Sequence, residues 1–216
     1  MARGVASKKE AKRTSARSSE PARTRPPRLL AWYRVVPLLL VALLGGVCAV
    51  FAYAPSTLFG SLYPLSYEEL IADASDRYGI SPYLVAAVIE TESGWDADAE
   101  SSAGAVGLMQ LMPDTAREMA ERGYVDGDAY PADDLTDPAV NIEYGCAYLA
   151  YLLDYYDEST ERAIAAYNAG MGSVNEWLEE DSALHNAITF PETQAYLARV
   201  ELAITRYQEL YPAAFS

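Results

Sequence analysis

The sequence predicts a mainly α-helical single domain behind an N-terminal membrane-spanning helix, and three features point to this. No segment of the body alternates apolar and polar residues as a half-buried strand would. Capping and proline signals instead punctuate runs whose apolar residues recur three and four apart. Ahead of them, residues 35–54 are uncharged and largely apolar, reaching the roughly 20 residues a helix needs to cross a bilayer.

Charge separates the N-terminal parts. Residues 1–34 hold ten of the sixteen Lys and Arg against only Glu10 and Glu20, a net +8, and the remainder carries six Arg against 29 acids, a net −23. The Ser, Arg and Pro content of the tail predicts disorder. Arg28 and Arg34 precede the apolar run and no basic residue follows until Arg77, so the positive-inside rule keeps residues 1–34 cytoplasmic and sends the acidic body outside, to a cell wall or periplasm. Ala52-Tyr53-Ala54 also fits a cleaved signal peptide, but the length of the apolar run favours an uncleaved anchor. Cys48 and Cys146 are the only cysteines, one in the span and one in the body, which leaves no intramolecular disulfide. An acidic body without clustered cations excludes nucleic acid as a partner.

A linker, 55–63, leads to the domain at 64–211. Ser66-Tyr67-Glu68-Glu69 reads as a capping box for a helix that Gly79 closes. Ser81-Pro82 opens a second helix, running to about Ser93. The small-residue loop from Asp96 to Pro113 contains Gly104 and Gly107, which suit a turn or short hairpin where backbone approaches something closely. Asp114–Arg122 is a short helix, Asp137-Pro138 caps a long one ending near Tyr156, and Ser159 starts another that stops at Gly170. Pro191 begins a last helix reaching about Tyr211, and no repeat or second domain is visible.

Several chemistries are excluded. Cys146 and His185 cannot supply the four ligands of a structural zinc site, and no metal or other cofactor is expected. His185 lacks any nucleophile elbow and reads as a surface histidine. Asp96-Ala97-Asp98-Ala99-Glu100 begins like a calcium loop, but Ser101 and Gly107 stand where glycine and glutamate are required.

Glu92 is the informative residue. Leu84, Val88 and Ile89 place it at the end of an apolar stripe, where a leucine would be expected. Burial there disfavours the ionised carboxyl and suits a general acid. The helix pattern alone leaves a second reading level with this one, a buried carboxylate paired with an arginine. Glu90, behind Ala86 and Ala87, reads as a solvated surface carboxylate.

The run Val85-Ala86-Ala87-Val88-Ile89-Glu90-Thr91-Glu92-Ser93-Gly94-Trp95, followed by Ser102-Ala103-Gly104-Ala105-Val106-Gly107-Leu108-Met109-Gln110-Leu111-Met112-Pro113, resembles the family 1 soluble lytic transglycosylase domain. Asn141-Ile142 with Gly145 and Tyr148-Leu149, Ala166-Tyr167-Asn168-Ala169-Gly170, and Pro191-Glu192-Thr193 with Tyr196 extend the resemblance in order over about 64–211. It implies a lysozyme-like α fold with a glycan cleft, peptidoglycan strands as partner, and Glu92 as the catalytic acid and base. It further implies that Ser93 orients substrate, that Met109 and Gln110 line the cleft, and that Tyr167 hydrogen-bonds near the acid with Asn168 beside it. Glu192 would bind sugar or muropeptide, with Tyr196 near it. Gln194 stands where the family's Glu-Thr-Arg has arginine, so an ion pair made by that arginine is absent.

A lytic transglycosylase needs one carboxyl, and the sequence offers one well-placed candidate. Two rivals remain: a goose-type lysozyme using Asp96 or Asp98 to activate water, and an inactive wall-binding scaffold that keeps the fold.

Overall fold

The computed structural model describes residues 29–53, 63–180 and 184–215. They fall in two units, 1–53 and 54–216. In the first, Leu29–Tyr53 is one helix, α1, with Pro37 inside it. The side chains described on it, those of 36–48, are exposed. Among the described residues no helix is long and apolar enough to cross a membrane. Of the tail expected to be disordered, residues 1–28 lie outside the described residues and 29–34 belong to α1; the linker up to residue 62 also lies outside them.

The second unit is helical among its described residues. Its helices are α2 (Glu68–Tyr78), α3 (Pro82–Glu92), α4 (Pro113–Glu121), α5 (Pro138–Tyr155), α6 (Thr160–Ala169), α7 (Met171–Glu180), α8 (Leu184–Ala187) and α9 (Pro191–Leu210). The predicted starts hold best where proline sits in the first turn, because the N–H it lacks has no helical partner there. Asp137 caps α5, accepting from the Ala139 N–H at 2.7 Å and the Val140 N–H at 3.4 Å.

The expected capping box does not form. Tyr67, in a left-handed turn at φ 55°, holds the N-cap of α2, with no side-chain cap, and Glu68 and Glu69 in the first turn complement the helix dipole instead. Ser81 and Ser159 hold N-cap positions, but their hydroxyls cap nothing. Gly170 ends α6 as expected, but a further helix follows at once. With φ 82° and ψ 150° it is a corner into α7, which the glycines on either side of Met171 hid and which buries Val174 and Trp177. His185 falls in α8 rather than in a loop, with its side chain outside the described residues.

α3 is the centre of the packing. Six successive residues, Leu84 to Ile89, are buried on it, and α9 and α2 pack against it. Each of Leu84, Val85, Val88 and Ile89 contributes about 1.5–3 kcal/mol by leaving water. Ala86 and Ala87, expected beside a solvated face, are also fully buried, since side chains this small let neighbouring helices come close. α9 also packs on α6, while α5 packs on α2, α4 and α6. An enclosed helix that ends in a carboxyl is thereby held from several sides.

Candidate active site

Glu92 is the last residue of α3 and is partly buried. Its Oε1 accepts a hydrogen bond from the Tyr196 hydroxyl at 2.7 Å. Desolvation raises its pKa above the usual carboxylate value, and the Tyr196 hydrogen bond and the Arg199 charge only partly oppose this. Among the described residues it forms no ion pair. Glu143 shows the other fate of a buried carboxylate: it pairs with Arg77 and accepts from the Tyr78 hydroxyl at 2.8 Å. Of the two readings that the helix pattern left level, the arginine-paired one describes Glu143 and not Glu92.

Two further elements complete the surroundings of Glu92. On α9, Tyr196 is buried, and the exposed Arg199 sits one turn on, its guanidinium carbon 5.9 Å from the Tyr196 ring centre. From α6, the partly buried Tyr167 brings its hydroxyl to the Met109 carbonyl. Burial, then the charge of Glu92, holds the Tyr167 and Tyr196 hydroxyls well above their ordinary pKa, so both stay protonated donors.

The loop after Glu92 is pinned at unusual backbone angles. Trp95 has φ 72° and Gln110 φ 47°, a region costly for such side chains. The Trp95 indole N–H donates to the Tyr207 hydroxyl at 2.9 Å. Gly107, at φ 78°, passes so close to the Asn141 amide and the Leu135 carbonyl that a Cβ would collide with both, the close approach expected of the loop, whereas Gly104 shares the positive φ but has open space around it. Asn141, buried on α5, accepts from the Met109 N–H at 2.7 Å and donates to the carbonyls of Val106 and Leu135 at 2.9 and 2.8 Å. The Tyr167 hydroxyl donates to the Met109 carbonyl at 2.8 Å. Both backbone polar groups of Met109 are thus held by side chains from α5 and α6.

The remaining expected site residues behave differently from one another. Met109 is wholly buried, packed where a Cβ on Gly145 would stand, so its side chain backs the wall and does not line a cleft. The Gln110 amide donates to the carbonyls of Ala99 and Gly107, both at 3.0 Å, and therefore closes the loop on itself. Ser93 donates to the Ile89 carbonyl at 3.2 Å and accepts from the Trp95 N–H at 3.1 Å. Asn168 is exposed and accepts from the Thr193 hydroxyl at 3.0 Å, tying α6 to the start of α9, where Glu192 is exposed. Tyr196, expected near Glu192, instead bonds the acid itself.

Glu90 is not a free surface carboxylate: Tyr207 donates to it at 3.2 Å. Asp96 and Asp98 are exposed, and Asp96 accepts from the backbone N–H of Asp98. A cavity of about 310 Å³ opens elsewhere, lined by Tyr78, Tyr124, Tyr151, Asp154 and Glu158 among others, and Glu92 takes no part in it. Sequence reasoning missed Arg199 and the bracing role of Asn141. The only signals were a cation one turn after Tyr196 and an amide inside an apolar helix.

Comparison with known proteins gives a consistent result. The family model described as the transglycosylase SLT domain matches residues 69–190. The chain is 33% identical over 155 residues to the soluble lytic murein transglycosylase of Escherichia coli (strain K12), covering 69% of this chain and 24% of that protein. It is 34% identical over 166 residues to membrane-bound lytic murein transglycosylase C of Actinobacillus pleuropneumoniae serotype 5b (strain L20), covering 65% of this chain and 45% of that one. The crystal structure of the 70 kDa soluble lytic transglycosylase SLT70 from Escherichia coli superposes with a TM-score of 0.64 at 29% identity, covering 73% of this chain and 27% of that one. A complex of the 70-kDa soluble lytic transglycosylase with bulgecin A gives 0.65 at 31% identity, covering 69% and 25%. The chain thus spans about a quarter of the length of the first of these relatives.

Proposed function

We propose, from the premise that this chain belongs to the transglycosylase SLT domain family, that it cuts the glycan strands of peptidoglycan as a lytic transglycosylase, with Glu92 as its single acid and base. The observation that carries this reading is a desolvated carboxyl with a raised pKa, bonded by a tyrosine hydroxyl and free of any arginine ion pair among the described residues. Such a group stays protonated closer to neutral pH and can give a proton away.

In the proposed reaction, protonated Glu92 donates to the oxygen linking N-acetylmuramic acid to N-acetylglucosamine, and the bond from muramyl C1 to that oxygen breaks. The muramyl acetamido oxygen stabilises the positive charge at C1. Glu92, now a carboxylate, takes the proton of the muramyl C6 hydroxyl while the C6 oxygen bonds to C1. The products are a free 4-hydroxyl on one piece and a 1,6-anhydro end on the other. No water is consumed and Glu92 regains its proton. A second carboxylate, needed when water or an enzyme nucleophile attacks, has no part in this route.

The N-terminal part supports attachment to a membrane, the catalytic domain lying outside the cytoplasm. The apolar run at 35–54 follows a basic tail in the sequence, and one relative is named membrane-bound. Digestion of purified sacculi followed by mass analysis tests the reaction class. Products lacking one water relative to hydrolysis fragments support transglycosylation, whereas products with free reducing ends favour the goose-type lysozyme. Intact sacculi favour the inactive scaffold.

A further inference from the structure

The body is strongly acidic, with six arginines against 29 carboxylates beyond residue 34. Arg77, Arg117, Arg122 and Arg206 are each spent on a carboxylate of the protein. Arg162 and Arg199 form no ion pair among the described residues, and of these two only Arg199 is exposed and stands over the ring of the tyrosine that bonds Glu92. A guanidinium laid against an aromatic ring keeps its N–H edge free for a planar anion, which it can hold through two parallel hydrogen bonds. A carboxylate-bearing ligand is repelled by most of this surface. Within the screening length of about 8 Å at physiological salt, a cation beside the acid gives it one place to dock.

We propose that Arg199 is the anion-docking residue of the Glu92 site, receiving a carboxylate carried by the peptide arm of the glycan substrate. This rests on the peptidoglycan reading above. It has a consequence for the acid. The groups acting on Glu92 are Tyr196 and Arg199 from α9, and Tyr167 from α6 faces its charge. α2 also packs on α3, and none of its carboxylates is among the groups that shift Glu92. Arg199 is therefore the one full charge favouring ionised Glu92, and a carboxylate docked on it cancels that effect. Glu92 then holds its proton to higher pH when an anionic substrate is bound than when the site is empty.

The test uses the full chain and two soluble glycan-peptide fragments, one with free peptide carboxylates and one with these converted to methylamides. For the unaltered protein, the alkaline limb of kcat should lie at higher pH on the carboxylate fragment than on the amide fragment. Arg199→Gln should reduce the preference for the carboxylate fragment, measured as the ratio of the two kcat/KM values, by about tenfold or more, chiefly through KM. Arg199→Lys should restore part of it. Equal losses on both fragments, or coincident kcat limbs, would overturn the proposal while leaving the transglycosylase reading in place. If the unaltered protein released anhydro products from neither fragment, both would fall together.

Discussion

The Tyr196 hydroxyl donates to Glu92 Oε1 at 2.7 Å across the contact between α9 and α3. These residues are 104 positions apart, and the bond depends on the packing of the last helix against the central one. It sets both where the carboxyl points and how readily it ionises, because a hydrogen bond to the charged form favours that form.

Removing that bond should therefore change the pH dependence as well as the rate. Tyr196→Phe is expected to move the alkaline limb of kcat/KM to higher pH, since ionised Glu92 loses a partner. It should also lower kcat by about tenfold through lost positioning, the scale of one charge-assisted hydrogen bond. A limb that stayed in place would mean that the tyrosine only fills space.

Burial of Glu92 has a signed effect on stability. Its folded pKa lies above that of the unfolded chain, so the folded state binds more protons between the two values. The contribution is fully present below the unfolded pKa and is lost as pH rises through the folded one. Glu92→Gln carries no such titration. The variant should match the parent protein in acid and equal or exceed it in thermal stability near neutral pH. Melting curves collected across that range check this; a variant markedly less stable at pH 7 would show that the carboxylate holds the fold together.

Gln110 and Gly107 should behave as structural parts of the loop. Gln110→Ala leaves the Ala99 and Gly107 carbonyls without their amide donor and is expected to cost about 1–3 kcal/mol in urea denaturation. Gly107→Ala should cost more than the roughly 1 kcal/mol of a strained backbone angle, because its Cβ also meets Asn141 and the Leu135 carbonyl. Full stability in either variant would mean that the loop is held by other contacts.

Arg77→Met tests the contrast between the two carboxylates. It leaves the buried Glu143 without its cation, which should cost about 3 kcal/mol. Activity per folded molecule should be retained, since Arg77 and Glu143 lie outside the proposed machinery. A selective loss of activity with stability intact would move the chemistry to Glu143.

Helix starts marked by proline, the cap at Asp137 and the place of Glu92 on an apolar stripe were legible because each follows from local backbone chemistry or helical periodicity. The α7 helix was not, since two glycines mask ten residues whose helical form depends on burying Val174 and Trp177. Glu90 was misread because a tyrosine 117 positions later supplies its partner. For the same reason Met109 and Gln110 could be assigned to the site region but not to their tasks. A side chain that braces a loop and one that faces a ligand look alike in sequence, and long-range packing separates them.

The most direct test of the account is the rate at which the Glu92→Gln variant releases anhydromuropeptides from sacculi, measured beside the unaltered protein. Glutamine keeps the shape and can still accept from Tyr196, but it cannot give a proton to the glycosidic oxygen and take one back. The account predicts a rate lower by at least the roughly 10²–10⁴-fold attributed to general acid–base catalysis, with binding to sacculi retained. Release at near the normal rate would contradict it.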